Sequence, residues 1–194
     1  MTAPNYDRAA KMAYLSLIDL KIQAFPVEPL DILKKCKNTV IHTYDELMQR
    51  YGVTDRLSFK DFEMEGRDAV TIRKETNGHP VYELFYYSHG DPRRRRFTLA
   101  HELGHIVLGH KMEAPWEEKE ADHFASQLLA PRPVFPILTI HSHNMQNPET
   151  VSRLFGLSKA ASEVVVSKRN IPDYDEISFN VSSLFMNYVL SISP

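Results

Sequence analysis

Apolar residues that recur every three to four positions predict helices along most of the chain. The first such pattern covers Asp7–Phe25, and a shorter one covers Leu30–Lys37, directly after Pro29. Proline suits the start of a helix and disrupts its interior. The same pattern predicts further helices over Asp45–Tyr51, Ser58–Phe62, Arg94–Lys111, Trp116–Ala130, Glu149–Phe155 and Ser158–Lys168. The apolar tail from Ile177 to Pro194 has no clear period.

Alternating and β-branched residues predict a small sheet in the first half of the chain. Ala69–Arg73 and Val81–Tyr87 flank the turn signal Asn77-Gly78, which is typical of a β-hairpin. A third short strand is expected around Val40 and Ile41. The predicted fold class is therefore α+β, mostly helical, with a sheet of about three strands.

The helix predicted over Arg94–Lys111 contains the sequence H-E-x-x-H. His101 and His105 are four residues apart, so their side chains leave the same helix face one turn apart and can bind one metal ion. Glu102, beside the first histidine, is placed to act as the general base toward a zinc-bound water. The helix is otherwise apolar, and burying these three polar side chains without a task would be costly. The pattern thus predicts a zinc hydrolase.

A catalytic zinc ion needs a third protein ligand and one open position. The next predicted helix offers five candidates: Glu117, Glu118, Glu120, Asp122 and His123. Glu120 lies at the boundary of that helix's buried face, which favours it as the third ligand. His123 is its main rival on position, and Glu117 lies one turn earlier.

Composition and charge limit the classes of protein to which the chain can belong. The chain has 194 residues, is 43% hydrophobic and 25% charged, and carries a net charge of −2. These values are typical of a globular protein and argue against a nucleic-acid-coating or anionic-membrane-binding chain. The single cysteine, Cys36, excludes an intramolecular disulfide. With no signal-peptide pattern and no apolar run long enough to span a membrane, we expect a cytoplasmic protein without a membrane partner.

Several segments resemble the ImmA/IrrE family of metallo-endopeptidases. The resemblance extends over roughly residues 26–169. Its most specific parts are R-R-F-T-L-A-H-E-L-G-H-I at Arg95–Ile106, E-A-D-H-F-A at Glu120–Ala125 and L-L-A-P at Leu128–Pro131.

The resemblance implies a zincin-like core that is thermolysin-like at Zn²⁺. By this resemblance His101, His105 and Glu120 are the metal ligands and Glu102 is the catalytic base. It also implies a protein substrate: a helix-turn-helix transcriptional repressor encoded nearby, often on a mobile element or prophage. The expected organisation is a metallopeptidase domain over residues 1–145 and a helix-turn-helix-like helical region over residues 146–194.

Three alternatives stay open at this point. The helix pair within Glu149–Lys168 could contact DNA, but its second helix carries Glu163 and three consecutive valines, which favours packing. The basic run Arg93–Arg96 is expected to be mostly solvated or paired with nearby acids. A non-catalytic regulator or toxin–antitoxin component that keeps this fold is the alternative function.

If the protein is an enzyme, the substrate is expected to lie along the edge of the strand Val81–Tyr87.

Overall fold

A computed structural model describes residues 3–51, 68–111, 114–141, 143–167 and 175–193. The fold is α+β, as predicted. The strands are β1 (Thr39–Thr43), β2 (Ala69–Thr76) and β3 (His79–Tyr86). The helices are α1 (Tyr6–Asp19), α2 (Pro29–Leu33), α3 (Tyr44–Tyr51), α4 (Pro92–Leu108), α5 (Pro115–Leu129), α6 (Phe135–Ile140), α7 (Pro148–Phe155), α8 (Lys159–Ser167) and α9 (Glu176–Ile192).

The ends of the helices follow from local signals. Helix α1 stops well before the predicted Phe25, because Lys21 adopts a left-handed conformation (φ 53°) and its N–H bonds back to the carbonyl of Ile18. Helix α4 begins after Asp91, whose carboxylate accepts the N–H of Arg93 at 2.9 Å. The same helix ends at Gly109, with φ 68°.

Two predicted segments need separate comment. The helix predicted over Ser58–Phe62 lies outside the described residues. The tail that had no clear period forms α9, and Val181, Phe185 and Val189 are buried at a spacing of four. This helix packs on α1, and Phe185 stacks on Phe25 with ring centroids 4.2 Å apart. The predicted regions 1–145 and 146–194 therefore contribute to one buried cluster.

The sheet has the strand order β1-β3-β2. Strands β2 and β3 form the predicted hairpin, with Asn77 and Gly78 both at positive φ, as the tightest hairpin turns require. Strand β1 pairs in parallel with the other side of β3. The expectation that the strand Val81–Tyr87 has an exposed edge is therefore wrong. Among the described strands, β2 lies at the edge of the sheet nearer to α4.

Helices α4 and α5 pack closely at Gly104. A Cβ atom at this position would lie 3.1 Å from Cδ1 of Phe124 and 3.2 Å from Cα of Ala121. The glycine thus lets α5 approach the helix that carries the two histidines. This contact fixes which side of α5 faces them.

Replacing Gly104 by alanine is expected to lower the free energy of unfolding by about 1–2 kcal/mol. Overpacking a tight core site typically costs about 1–3 kcal/mol, and the better helix propensity of alanine returns up to about 1 kcal/mol. Denaturant titration of the metal-free protein would measure the difference. Unchanged or higher stability would show that α5 can shift away from α4 without cost.

Candidate metal centre

Helix α4 presents His101 and His105 on one face, as their spacing predicts. Their Nε2 atoms lie 3.0 Å apart, and the two side chains are only 17% and 16% exposed. Two partly buried imidazoles that direct the same nitrogen at one point could share a cation. The motif therefore has the geometry that metal binding requires.

Helix α5 adds Glu118 to this pair. One carboxylate oxygen of Glu118 lies 3.3 Å from Nε2 of His101, and the other lies 3.4 Å from Nε2 of His105. One ligand atom from each residue falls within 4.8 Å of the others. Two imidazole nitrogens and one carboxylate oxygen are the donor set of many catalytic zinc sites with three protein ligands. The residues present therefore fit a zinc ion.

A second carboxylate on α5 orients His101. Oδ1 of Asp122 lies 2.9 Å from Nδ1 of His101, one helical turn beyond Glu118. In the neutral ring this contact keeps the proton on Nδ1, so that Nε2 carries the lone pair that a metal would bind. Burial by itself lowers the pKa of His101, but the hydrogen bonds with Asp122 and Glu118 raise it to about 9. Burial and the nearby charge of His101 lower the pKa of His105 to about 4.

Glu102 lies at the wall of a cleft beside the two histidines. The cleft has a volume of about 470 Å³ and lies between α4 and the edge strand β2. Glu102 is 8% exposed. Its charge also contributes to raising the pKa of His101. The carboxylate is thus close to the candidate metal ligands and borders a space that a substrate could enter.

The structure does not bring Glu120 to the histidine pair. Glu120 is 2% exposed and accepts the backbone N–H of Asn5 at 2.7 Å. It follows Glu118 by two residues, which turns its side chain about 200° around the helix. Two other candidates for the third ligand also lie away from the histidine pair. Glu117 accepts the N–H of Lys111 at 3.1 Å, and the ring of His123 contacts that of Tyr6.

Sequence reasoning considered Glu118 but did not favour it. The signal for it was its spacing from Asp122, because residues four apart on α5 share one face. That face can supply one carboxylate to a metal and another to a ligand imidazole. Sequence reasoning also missed that His110 contacts this pair, with its Nδ1 3.0 Å from Nδ1 of His105.

The basic run before the motif is largely paired, as expected. Arg94 bonds Asp68, and Arg96 bonds Glu28 at 2.6 Å and the carbonyl of Gly156 at 2.7 Å. The sequence had suggested acids at positions 61–65 as partners, and these lie outside the described residues. The arginines join the start of α4 to the sheet and to the turn between α7 and α8.

Residues 56–166 match the family described as Peptidase_M78, IrrE N-terminal-like domain. This is more than half of the chain, and it includes both helices of the candidate metal centre. The chain belongs to this family. The resemblance to ImmA/IrrE proteins stated from the sequence is confirmed. A comparison with curated proteins gives no significant match.

The IrrE N-terminal-like family is a family of metallopeptidases, and here its motif helix contributes to a cluster that can hold a metal ion. The match begins at residue 56, so α1 and α2 lie outside it. Within the described part of the chain, no helix has the length and apolar character needed to cross a membrane.

Proposed function

We propose that this protein is a zinc-dependent endopeptidase. The observation that carries the proposal is the convergence of His101, His105 and Glu118 beside the buried Glu102 at the wall of an open cleft. In this proposal the two histidines and Glu118 hold the zinc ion. The third-ligand role that the sequence suggested for Glu120 passes to Glu118, because among the described carboxylates of α5 it is Glu118 that lies near both imidazoles.

When bound, zinc would supply Lewis-acid activation of a water molecule and of the scissile carbonyl group. Glu102 would accept the proton that the attacking water loses and pass it to the leaving amine. Asp122 would keep His101 in the tautomer that presents Nε2 to the metal. The walls of the cleft would hold the peptide and limit access of bulk water to the reacting bond.

The cleft favours an extended peptide as substrate. One wall is the edge strand β2, including Ala69, Val70 and Thr71. A peptide can add to such an edge through main-chain hydrogen bonds. The Thr71 hydroxyl is buried and has no hydrogen-bond partner among the described residues, so it could bond to the substrate. The substrate strand therefore lies along β2 in this proposal.

Family resemblance suggests which protein would be cut. We infer a helix-turn-helix transcriptional repressor encoded nearby, in the setting of a mobile element or prophage, with cleavage in the cytoplasm releasing transcription. The open cleft supports this, since a segment of a folded regulator could enter it from the side.

Zinc removal is expected to abolish cleavage of that repressor reversibly. The purified protein would be incubated with the neighbouring repressor after chelation, and again after addition of one equivalent of zinc. Fragments should form only in the zinc-loaded sample, because Glu102 has no activated water to deprotonate without the metal. Fragments in the chelated sample would contradict a zinc mechanism. A stable complex with intact repressor would favour the non-catalytic regulator.

A further inference from the structure

A chain of hydrogen bonds runs from His105 through His110 to Glu120. Nδ1 of His105 lies 3.0 Å from Nδ1 of His110, and Nε2 of His110 lies 3.2 Å from Oε2 of Glu120. The side chains of His110 and Glu120 are 3% and 2% exposed. Neither residue is among the three whose ligand atoms converge on the candidate metal site. The burial of these two polar side chains therefore needs another explanation.

We propose that Glu120 and His110 are positioning residues that set the metal-binding tautomer of His105. A carboxylate can only accept hydrogen bonds, so Nε2 of His110 carries the proton that Glu120 binds. With His110 neutral, its one N–H is the one at Nε2, so its Nδ1 accepts the bond from Nδ1–H of His105. Nε2 of His105 then keeps its lone pair, and this is the nitrogen that faces Glu118.

The two histidines of the motif are therefore oriented by different means. His101 bonds directly to the carboxylate of Asp122. At His105 the corresponding place is taken by His110, two residues beyond the last residue of α4. The left-handed Gly109 turns the chain there, and the N–H of His110 bonds to the carbonyl of His105 at 3.0 Å. The carboxylate of Glu120 therefore acts on His105 through the ring of His110.

Helix α1 fixes the orientation of the Glu120 carboxylate. The N–H of Asn5 binds Oε1 at 2.7 Å, and Nη1 of Arg8 lies 3.5 Å from Oε2. Arg8 also donates to the carbonyl of Leu108 at 2.6 Å, at the end of α4. The N-terminus of a helix favours a negative charge, which stabilises the carboxylate in this buried place. A helix outside the family match thus contributes to the metal site.

Glu120→Gln tests the direction of these hydrogen bonds with little change in shape. The amide oxygen should stay on the N–H of Asn5, which places the amide NH₂ group against Nε2 of His110. His110 must then accept there and donate from Nδ1, so the proton of His105 moves to Nε2. We expect zinc affinity to fall by about 10–100-fold, the usual effect of losing a partner of a metal ligand.

Two measurements on the full-length protein give separate readouts. Long-range ¹H–¹⁵N NMR on the metal-free protein reports which nitrogen of each histidine is protonated, and chelator competition reports the zinc Kd. The matched control is Glu117→Gln, a buried glutamate on the same helix that caps the N–H groups of Lys111 and Ala114. This control should leave the His105 tautomer unchanged and should change the Kd less than Glu120→Gln does, because Glu117 acts on His105 only through its charge.

Variants of His110 separate hydrogen bonding from packing. Asparagine can place its amide oxygen near the former Nδ1 and accept from His105, whereas leucine fills space and accepts nothing. His110→Asn should therefore bind zinc more tightly than His110→Leu. Equal weakening in the two variants would overturn the proposal, since it would show that His110 acts only by filling space.

The remaining outcomes are also decisive. An unchanged His105 tautomer in Glu120→Gln overturns the proposal, whether or not the Kd changes. Loss of all zinc in Glu120→Gln together with full binding in Glu118→Gln would make Glu120 a ligand and also overturn it. The proposal rests on the proposed zinc site, but the NMR arm needs no metal. Failure of wild-type protein to bind zinc would therefore refute the proposed function separately.

Discussion

Replacing Glu102 by glutamine is expected to lower kcat/KM for repressor cleavage by about 10²–10⁴-fold while zinc remains bound. Positioned proton transfer typically contributes a factor of this size, and an amide cannot accept the proton of the attacking water. Zinc should stay because Glu102 is not among the three residues whose ligand atoms converge. Cleavage rates and metal content would be measured on the same zinc-loaded preparation.

Two results would contradict this assignment. Full activity in Glu102→Gln would remove the general-base role, and loss of zinc would place Glu102 among the ligands. Glu117→Gln is a suitable control, because it makes the same chemical change at a buried glutamate that caps backbone N–H groups. That control should retain both zinc and activity, which would show that the effect belongs to position 102.

The part of the site that lies on one helix could be predicted from the sequence. His101 and His105 are brought together by the period of the helix alone, without any knowledge of the tertiary fold. The pairing of β2 with β3 was predictable for the same reason, since Asn77 and Gly78 form the turn locally. These are contacts between near neighbours in sequence.

The proposed third ligand, Glu118, could not be predicted in this way. Glu118 and Glu120 are on one helix and have the same chemistry, and only the rotation of α5 against α4 decides which of them faces the histidines. That rotation depends on the close contact of Gly104 with Ala121 and Phe124. Several rotations fit an amphipathic pattern almost equally well, so the pattern did not distinguish the two glutamates.

The order of the strands was missed for a similar reason. Strand β1 reaches β3 by a parallel crossover, and nothing in its five residues shows which neighbour it will join. The position of β1 nevertheless determines which of the described strands lie at the edges of the sheet. With β3 enclosed on both sides, β2 becomes the strand that borders the cleft.

Glu118→Ala is expected to weaken zinc binding more than any other single change on α5. It removes one of the three converging ligands, whereas loss of a partner that only orients a ligand costs about 10–100-fold. The purified variant should therefore contain almost no zinc and should lose cleavage with it. Metal content, zinc Kd by chelator competition and the visible spectrum of the cobalt-substituted protein would measure the effect.

The informative result is the order of effects among four acidic residues on one helix. If Glu118 is the ligand, its loss should weaken zinc binding most. Asp122→Asn and Glu120→Gln should follow with similar intermediate losses, and Glu117→Gln should have the smallest effect. The two intermediate variants act on different histidines, but both histidines belong to one metal cluster and their Nε2 atoms lie 3.0 Å apart, so we expect their effects to couple rather than add in the double variant. If Glu120→Gln weakened zinc binding more than Glu118→Ala, Glu120 would be the third ligand. The loss of a residue that only orients a ligand should cost less zinc affinity than the loss of a metal ligand.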